Sequence, residues 1–296
     1  MPSLKEVKTR IVSVSSTVQI TSAMKMVSAA KLKRAQDAIT QMRPYATKLR
    51  EILENLSGML DSSESIYSQE REPTKVLLVV ITSNRGLAGA FNANVMKEVR
   101  ILLNTKYQAQ YKAGNVQIIT IGKKATDFYT KNKFTVIKSA NEVFDGLSFA
   151  KAAPIAEFIM EGFVNGEYDT VELVYNQFKN AAVQLIQPEQ YLPVVSTPAP
   201  VVAGGKKAKA NDYIFEPSKE EIIKDLIPLS LKTQLYKALL DSQAAEHGAR
   251  MTAMHKATDN AKELIKELKL TYNKARQASI TNDILEIVGG AEALNG

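Results

Sequence analysis

The chain has 296 residues, 45% hydrophobic and 23% charged, enough to bury a sizeable core as one large domain or two ordinary ones. It contains no cysteine and two histidines, His247 and His255, so disulfide scaffolds, thiolate metal sites, cysteine nucleophiles and His-dependent triads have almost nothing to build on. The formal charge of +7 is unevenly placed: residues 7–36 hold Lys8, Arg10, Lys25, Lys31, Lys33 and Arg34 without an acid, whereas 279–296 hold Asp283, Glu286 and Glu292 without Lys or Arg.

A basic segment of this kind expects an acidic partner, whether protein, nucleic acid or lipid headgroup, unless it is a solvated helix face. No run approaches the roughly 18 apolar residues that span a bilayer. The start of the chain lacks the charged-then-apolar layout of a secretory signal. The expectation is a soluble chain with no direct bilayer insertion.

In chain order, residues 4–60 carry a seven-residue repeat. One series is Val7, Val14, Thr21, Ser28, Ala35, Met42, Leu49, Leu56. Its companion begins Leu4, Ile11, Val18 and continues, one position earlier in the repeat, as Met24, Lys31, Ala38, Tyr45, Ile52, Met59. Alternating spacings of three and four place these residues on one stripe of a helix, on the order of 80 Å long at 1.5 Å per residue. Thr21, Ser28 and Lys31 weaken the stripe, and Pro44 is expected to kink the helix.

The middle of the chain changes character. Residues 76–81 (VLLVVI) form a continuous β-branched run, the pattern of a strand buried on both faces. A glycine turn follows, then a helix over 92–104 and a second strand over 116–121. Another helix is expected after Gly122 and a longer one over 149–164, with strands at 171–178 and 183–187 completing the set. Strands alternating with helices predict an α/β layer with a mainly parallel sheet. Residues 196–212 are rich in Pro, Gly, Ala and Lys and predict an exposed loop.

From Leu240 a second helical stripe reads Ala244, His247, Met251, Met254, Thr258, Ala261, Ile265, Leu268, Tyr272, Ala275. Two long striped helices at the ends of one chain most simply pair antiparallel, with the intervening residues inserted at one end. The predicted fold is therefore a long antiparallel coiled coil of the N- and C-terminal helices with an inserted Rossmann-like α/β domain. Its parts are a first helix over 1–62, a central domain over 73–195, a loop over 196–215 and a last helix with its apolar end over 218–296.

Three features could carry chemistry or binding. The turn at residues 83–92 (SNRGLAGAFN), with Arg85, Gly86 and Gly89, sits where phosphate-binding loops occur, between a strand and a helix. Its spacing fits neither G-x-x-x-x-G-K-[ST] nor G-x-G-x-x-G, so a tight packing turn is the expected role. Asp225, Asp241, Asp259, Glu263 and Glu267 stand beside lysines at helical spacing and are expected to be surface ion pairs, with no acid–base pair among them. His247 is expected to be a packed stripe residue.

The third feature is the C-terminal end. If the first helix ends near Leu60 and its partner begins near Glu220, antiparallel pairing is exhausted at about Ser279. Beyond it Ile280, Ile284, Leu285, Ile287, Val288 and Ala291 still supply apolar side chains. Left in water the isoleucine, leucine and valine side chains forgo on the order of 1.5–3 kcal/mol each, so another protein is expected to cover them unless the end folds back onto the central domain, which would need a break that only Gly289 and Gly290 offer.

Residues 20–31 (ITSAMKMVSAAK) resemble the N-terminal helix of the γ subunits of bacterial F-type ATP synthases. Residues 272–281 (YNKARQASIT), followed by Glu286 and by Gly290 and Ala291, resemble that family's C-terminal signature, and the turn at 83–89 is similar to the family's. Asp283 departs from the signature, which usually carries Glu there. The loop after Ser196 looks like a lineage-specific insertion.

The resemblance implies a non-catalytic rotor. The terminal helices would run up the axis of a hexamer of α and β subunits, and the central domain would be a foot contacting the ε subunit and the membrane c-ring. Met24 and Lys25 would meet an acidic loop of β, Arg276 and Gln277 would hydrogen-bond a catch loop of β, and the end from Ile280 would sit in an apolar sleeve. It further implies no cofactor, no metal, no nucleic acid, and a peripheral place at the cytoplasmic face of the plasma membrane. Two rival readings are an α/β nucleotide- or phosphate-binding module with a coiled-coil arm, and a nucleic-acid binder using the first helix. The second lacks the aromatic residues expected among the basic ones in 7–36.

Overall fold

A computed structural model of the chain describes residues 3–57, 66–69, 71–194 and 219–295. The expected loop at 196–215, and any continuation of the first helix beyond Ser57 as far as residue 62, lie outside the described residues. The chain divides into two compact units, one of Ala30–Ala249 and one of Met1–Ala29 with Arg250–Gly296.

The larger unit is built on a five-stranded sheet. Its strands are β1 (Val76–Ile81), β2 (Val116–Ile121), β3 (Val136–Ser139), β4 (Thr170–Phe178) and β5 (Gln184–Leu192). They lie in the order β3-β2-β1-β4-β5. The pairs β1–β2, β1–β4 and β2–β3 are parallel, and β4–β5 is an antiparallel hairpin. The crossovers are α2 (Phe91–Asn104) with the short α3 (Gln108–Lys112), α4 (Lys123–Lys131) and α5 (Phe149–Val164), and the long helices are α1 (Leu4–Ser57) and α6 (Lys219–Asn295).

The continuous apolar run of β1 follows from its central place, because both of its faces are covered. Leu77, Val79 and Ile81 point to a core shared with Ile155, Ile159 and Phe163 of α5 and with Leu231, Leu235 and Leu239 of α6. Val76, Leu78 and Val80 point to the opposite core, formed with Val95 and Val99 of α2 and Tyr129 of α4. Fully buried leucines such as Leu235 and Leu239 each contribute about 1.5–3 kcal/mol. Where β2 turns into α4, Gly122 adopts φ +109, and a Cβ there would lie 2.1 Å from the Thr82 carbonyl oxygen, so no other residue fits.

The terminal helices pack together as an antiparallel pair. In the smaller unit Val7, Thr21 and Ser28 of α1 and Met254, Thr258 and Ala261 of α6 are buried. Thr21 and Thr258 share a hydroxyl–hydroxyl hydrogen bond of 2.7 Å. In the larger unit Leu32, Ala35, Ile39 and Leu49 of α1 are buried, and Arg43 lies beside Asp241 of α6. Helix α1 runs through Pro44 without interruption.

Two expectations are corrected. The companion series does not shift: Leu32 and Ile39 take the seam, while Lys31 and Tyr45 are exposed. The unbroken series Leu4, Ile11, Val18, Lys25, Leu32, Ile39 requires a lysine on the seam. Lys25 is half-buried there, since its methylenes can lie along apolar surface while the ammonium reaches water. Asp241 is no surface ion pair; it is 3% exposed. His247, at 8%, is packed.

Candidate functional site

The glycine turn between β1 and α2 is held by its own polar side chains. Ser83 N–H donates to Asn92 Oδ1 at 3.0 Å, and Ser83 Oγ donates to the Arg85 carbonyl at 2.6 Å. Leu87 (φ 63) and Gly89 (φ 58) take the left-handed conformations that turn the chain. Gly86 lies under Lys124, whose Cε would be 3.6 Å from an added Cβ, and Arg85 is exposed.

A phosphate at this sheet edge would need free helix N-terminal amides. At α2, into which the turn leads, Phe91 N–H donates to the Ala88 carbonyl at 3.3 Å, and the first amides of the neighbouring α4 are engaged by the turn as well. Lys123 N–H donates to Asn84 Oδ1 at 2.9 Å, Lys124 N–H to the Ser83 carbonyl at 3.2 Å, and Ala125 N–H to Thr82 Oγ1 at 2.9 Å. The strand order reverses between β1 and β4, the position where open α/β sheets bind ligands. Here Ala88 and Phe91 at that edge are covered by Ala245 of α6 and packed against Phe178 and Ala249. Helix α6 fills the crevice, so the geometry disfavours the nucleotide-module reading.

The smaller unit carries the other residues that the sequence singles out. Met24 and Lys25 are half-buried on α1, adjacent to the seam residues Thr21 and Ser28. Arg276 and Gln277 are exposed on α6. They do not meet Met24 and Lys25: Thr21 pairs with Thr258, and Arg276 lies farther along α6 by about 27 Å at 1.5 Å per residue. Immediately after them the apolar C-terminal segment is open, with Ile280 49%, Ile284 54%, Leu285 63%, Ile287 71% and Val288 49% exposed.

Further exposed apolar side chains escaped the sequence reading: Val12, Ile20, Met26 and Val27 on α1, and Leu270 on α6. Val12, Ile20 and Val27 recur at intervals of eight and seven, a second apolar line off the seam that a search for one stripe passes over. Among the described residues no helix is long and apolar enough to cross a membrane, and no cluster of His, Asp or Glu could hold a metal ion.

Known proteins match this chain along nearly its whole length. The ATP synthase family model matches residues 3–294. The chain is 61% identical over 298 residues to the ATP synthase gamma chain of Flavobacterium johnsoniae and 56% identical over 296 residues to that of Cytophaga hutchinsonii, each alignment covering 100% of both chains. Among solved structures, it is similar to a chain of the Euglena gracilis mitochondrial ATP synthase OSCP/F1/c-ring assembly, with TM-score 0.70 and 25% identity over 98% of this chain and 94% of that one. It is also similar to a chain of the Tetrahymena thermophila mitochondrial ATP synthase central stalk and c-ring, with TM-score 0.60 and 26% identity over 80% and 99%. A family match along nearly the whole chain, together with full-length relatives at more than half identity, makes this chain a member of the ATP synthase γ family.

Proposed function

We propose that this chain is the non-catalytic central rotor shaft of a bacterial F1Fo ATP synthase, coupling ion-driven rotation of the c-ring to conformational cycling of the catalytic β subunits. The observation that carries the reading is the open apolar run from Ile280 to Val288 on a helix whose earlier part is paired. Such a surface needs cover, and a sleeve formed by a ring of α and β subunits supplies it. In this reading Arg276 and Gln277, exposed just before it, hydrogen-bond a loop of β, and Met24 and Lys25, in the acid-free stretch of α1, face an acidic loop of β. The central α/β domain, with the turn at Arg85, Gly86 and Gly89, is the foot that meets the ε subunit and the c-ring. The complex then stands at the cytoplasmic face of the plasma membrane, with this chain peripheral.

A rotor shifts the β equilibria only through contact energies that differ among β conformers, so its contribution is asymmetry and not bond chemistry. The test is purification of the complex from native membranes with partner masses measured, followed by Arg276→Ala combined with Gln277→Ala. The α, β, ε and c subunits should co-purify, and the double variant should lose coupled pumping while the chain folds normally. A chain that purifies alone, or a double variant with unchanged coupling, refutes the proposal.

A further inference from the structure

The β4–β5 hairpin makes a closer contact with α6 than an edge hairpin requires. Its tip is rigid. Asn180 N–H donates to the Val183 carbonyl at 3.1 Å, and Asn180 Oδ1 accepts the N–H groups of Ala182 at 2.9 Å and Val183 at 2.7 Å. Against this tip lies Gly248 of α6, so close that a Cβ there would be 3.2 Å from both the Cα and the carbonyl oxygen of Ala181 and 3.5 Å from the Phe178 ring. Phe178 and Ala249 each pack against the cluster of Ala88, Phe91 and the fully buried Ala245.

The same hairpin holds α6 at three more levels. The Phe178 N–H donates to the Asp241 carboxylate. Gln234 Nε2 donates to Glu189 Oε1 at 2.7 Å, and Tyr191 OH donates to the Leu231 carbonyl at 2.9 Å. Among the described residues, the two cores on the sheet faces take Leu231, Leu235, Ala238 and Leu239 from α6 and no residue from α1. Side-chain packing alone lets a helix roll by rotamer changes. Backbone against backbone, as at Gly248 and Ala181, has no soft side chain to give way.

We infer that the β4–β5 hairpin is the key that fixes α6 against rotation relative to the sheet, with Gly248 and Ala181 as positioning residues through which torque passes from the central domain into α6. This rests on the rotor reading. Torque applied to the sheet reaches α6 as a push of the hairpin backbone on the Ala245–Gly248 face, and the hydrogen bonds at Leu231, Gln234 and Asp241 keep the hairpin seated along the helix.

The test uses the assembled complex. The natural chain has no cysteine, so Ala181→Cys with Gly248→Cys offers one defined cross-link. Oxidation should leave ATP-driven ion pumping unchanged, because the contact never opens during turnover; pumping that stops on oxidation and returns on reduction overturns the inference. In the second arm, F1 is immobilised through its β subunits and carries a bead on the central domain. Gly248→Leu should raise the bead's thermal angular variance in the waiting dwell about twofold while ATP hydrolysis stays near the wild-type rate. Unchanged variance in an assembled Gly248→Leu complex likewise overturns it. If Gly248→Leu fails to assemble, Gly248→Ala, which asks the hairpin to give by only a few tenths of an ångström, takes its place with the same readout. Failure of the wild-type chain to join α and β at all would instead refute the rotor reading.

Discussion

Asp241 lies on α6 with 3% of its surface exposed, and its neighbours decide how it titrates. Burial pushes its carboxyl up to about 6, against the opposing pull of Lys237 and Arg43, with Glu189 adding repulsion and the Phe178 N–H favouring the ionised form. A carboxyl whose folded pKa stands above its unfolded value binds its proton more tightly in the native state. The stability it lends is therefore complete below about pH 3.8 and is lost as pH rises through about 6. Asp241→Asn keeps an acceptor for the Phe178 N–H and removes the buried charge. Compared at pH 4 and pH 8 by urea unfolding, the variant should gain on the natural chain at the higher pH by up to about 3 kcal/mol. An equal difference at both pH values would show that the carboxyl does not titrate in this window.

At the scale of elements, the seam between α1 and α6 is interrupted by hydroxyls. Thr21 and Thr258 are buried and share one hydrogen bond, and each hydroxyl also lies within reach of its own helix backbone: Thr21 Oγ1 is 2.9 Å from the Thr17 carbonyl and Thr258 Oγ1 is 2.8 Å from the Met254 carbonyl. A buried polar pair fixes register at a cost in stability. Replacing both partners by isosteric valine removes the desolvation of two hydroxyls and leaves no unpaired group. Thr21→Val with Thr258→Val should raise the unfolding midpoint, whereas either single valine should gain less or lose; a destabilised double variant would show that the pair contributes net stability.

The same seam shows what residue pattern could and could not reveal. Strands β1 and β2 and helix α5 were legible because each is a continuous apolar or strongly periodic run with glycine or polar residues at its ends. Strand β3 was not: it has four residues on the sheet edge, half-buried or exposed, so its sequence carries little apolar signal. Strand β5 runs on past Gln187, where the pattern ends it, because Pro188, Glu189 and Gln190 look like a loop, yet an edge strand tolerates proline and polar side chains. The companion series of α1 is ambiguous by pattern, because each register carries one lysine, Lys25 in one and Lys31 in the other, and only burial of Leu32 and Ile39 decides between them. The contact of α6 with the sheet was invisible, since alanine and glycine at 244–249 signal close approach without saying to what.

For the whole molecule, the question is what its exposed surface demands of an assembly. Ile284 and Ile287 are 54% and 71% exposed on the last turns of α6, beside Leu285 and Val288, and no basic residue follows Arg276. Covering such side chains is worth on the order of 1.5–3 kcal/mol each, while placing an ammonium in an apolar sleeve costs several kcal/mol unless it is paired. Ile284→Lys with Ile287→Lys therefore changes little in the isolated chain, where both positions face water, and much in the complex. Circular dichroism and the unfolding midpoint of the free chain should match the natural protein. Assembly with α and β, measured as the fraction of chain recovered in the complex at limiting concentration, should fall at least about tenfold for a loss of 1.4 kcal/mol or more. Undiminished assembly would mean that the C-terminal segment stays in water inside the complex, and the surface would then have to be explained by the second apolar line at Val12, Ile20 and Val27.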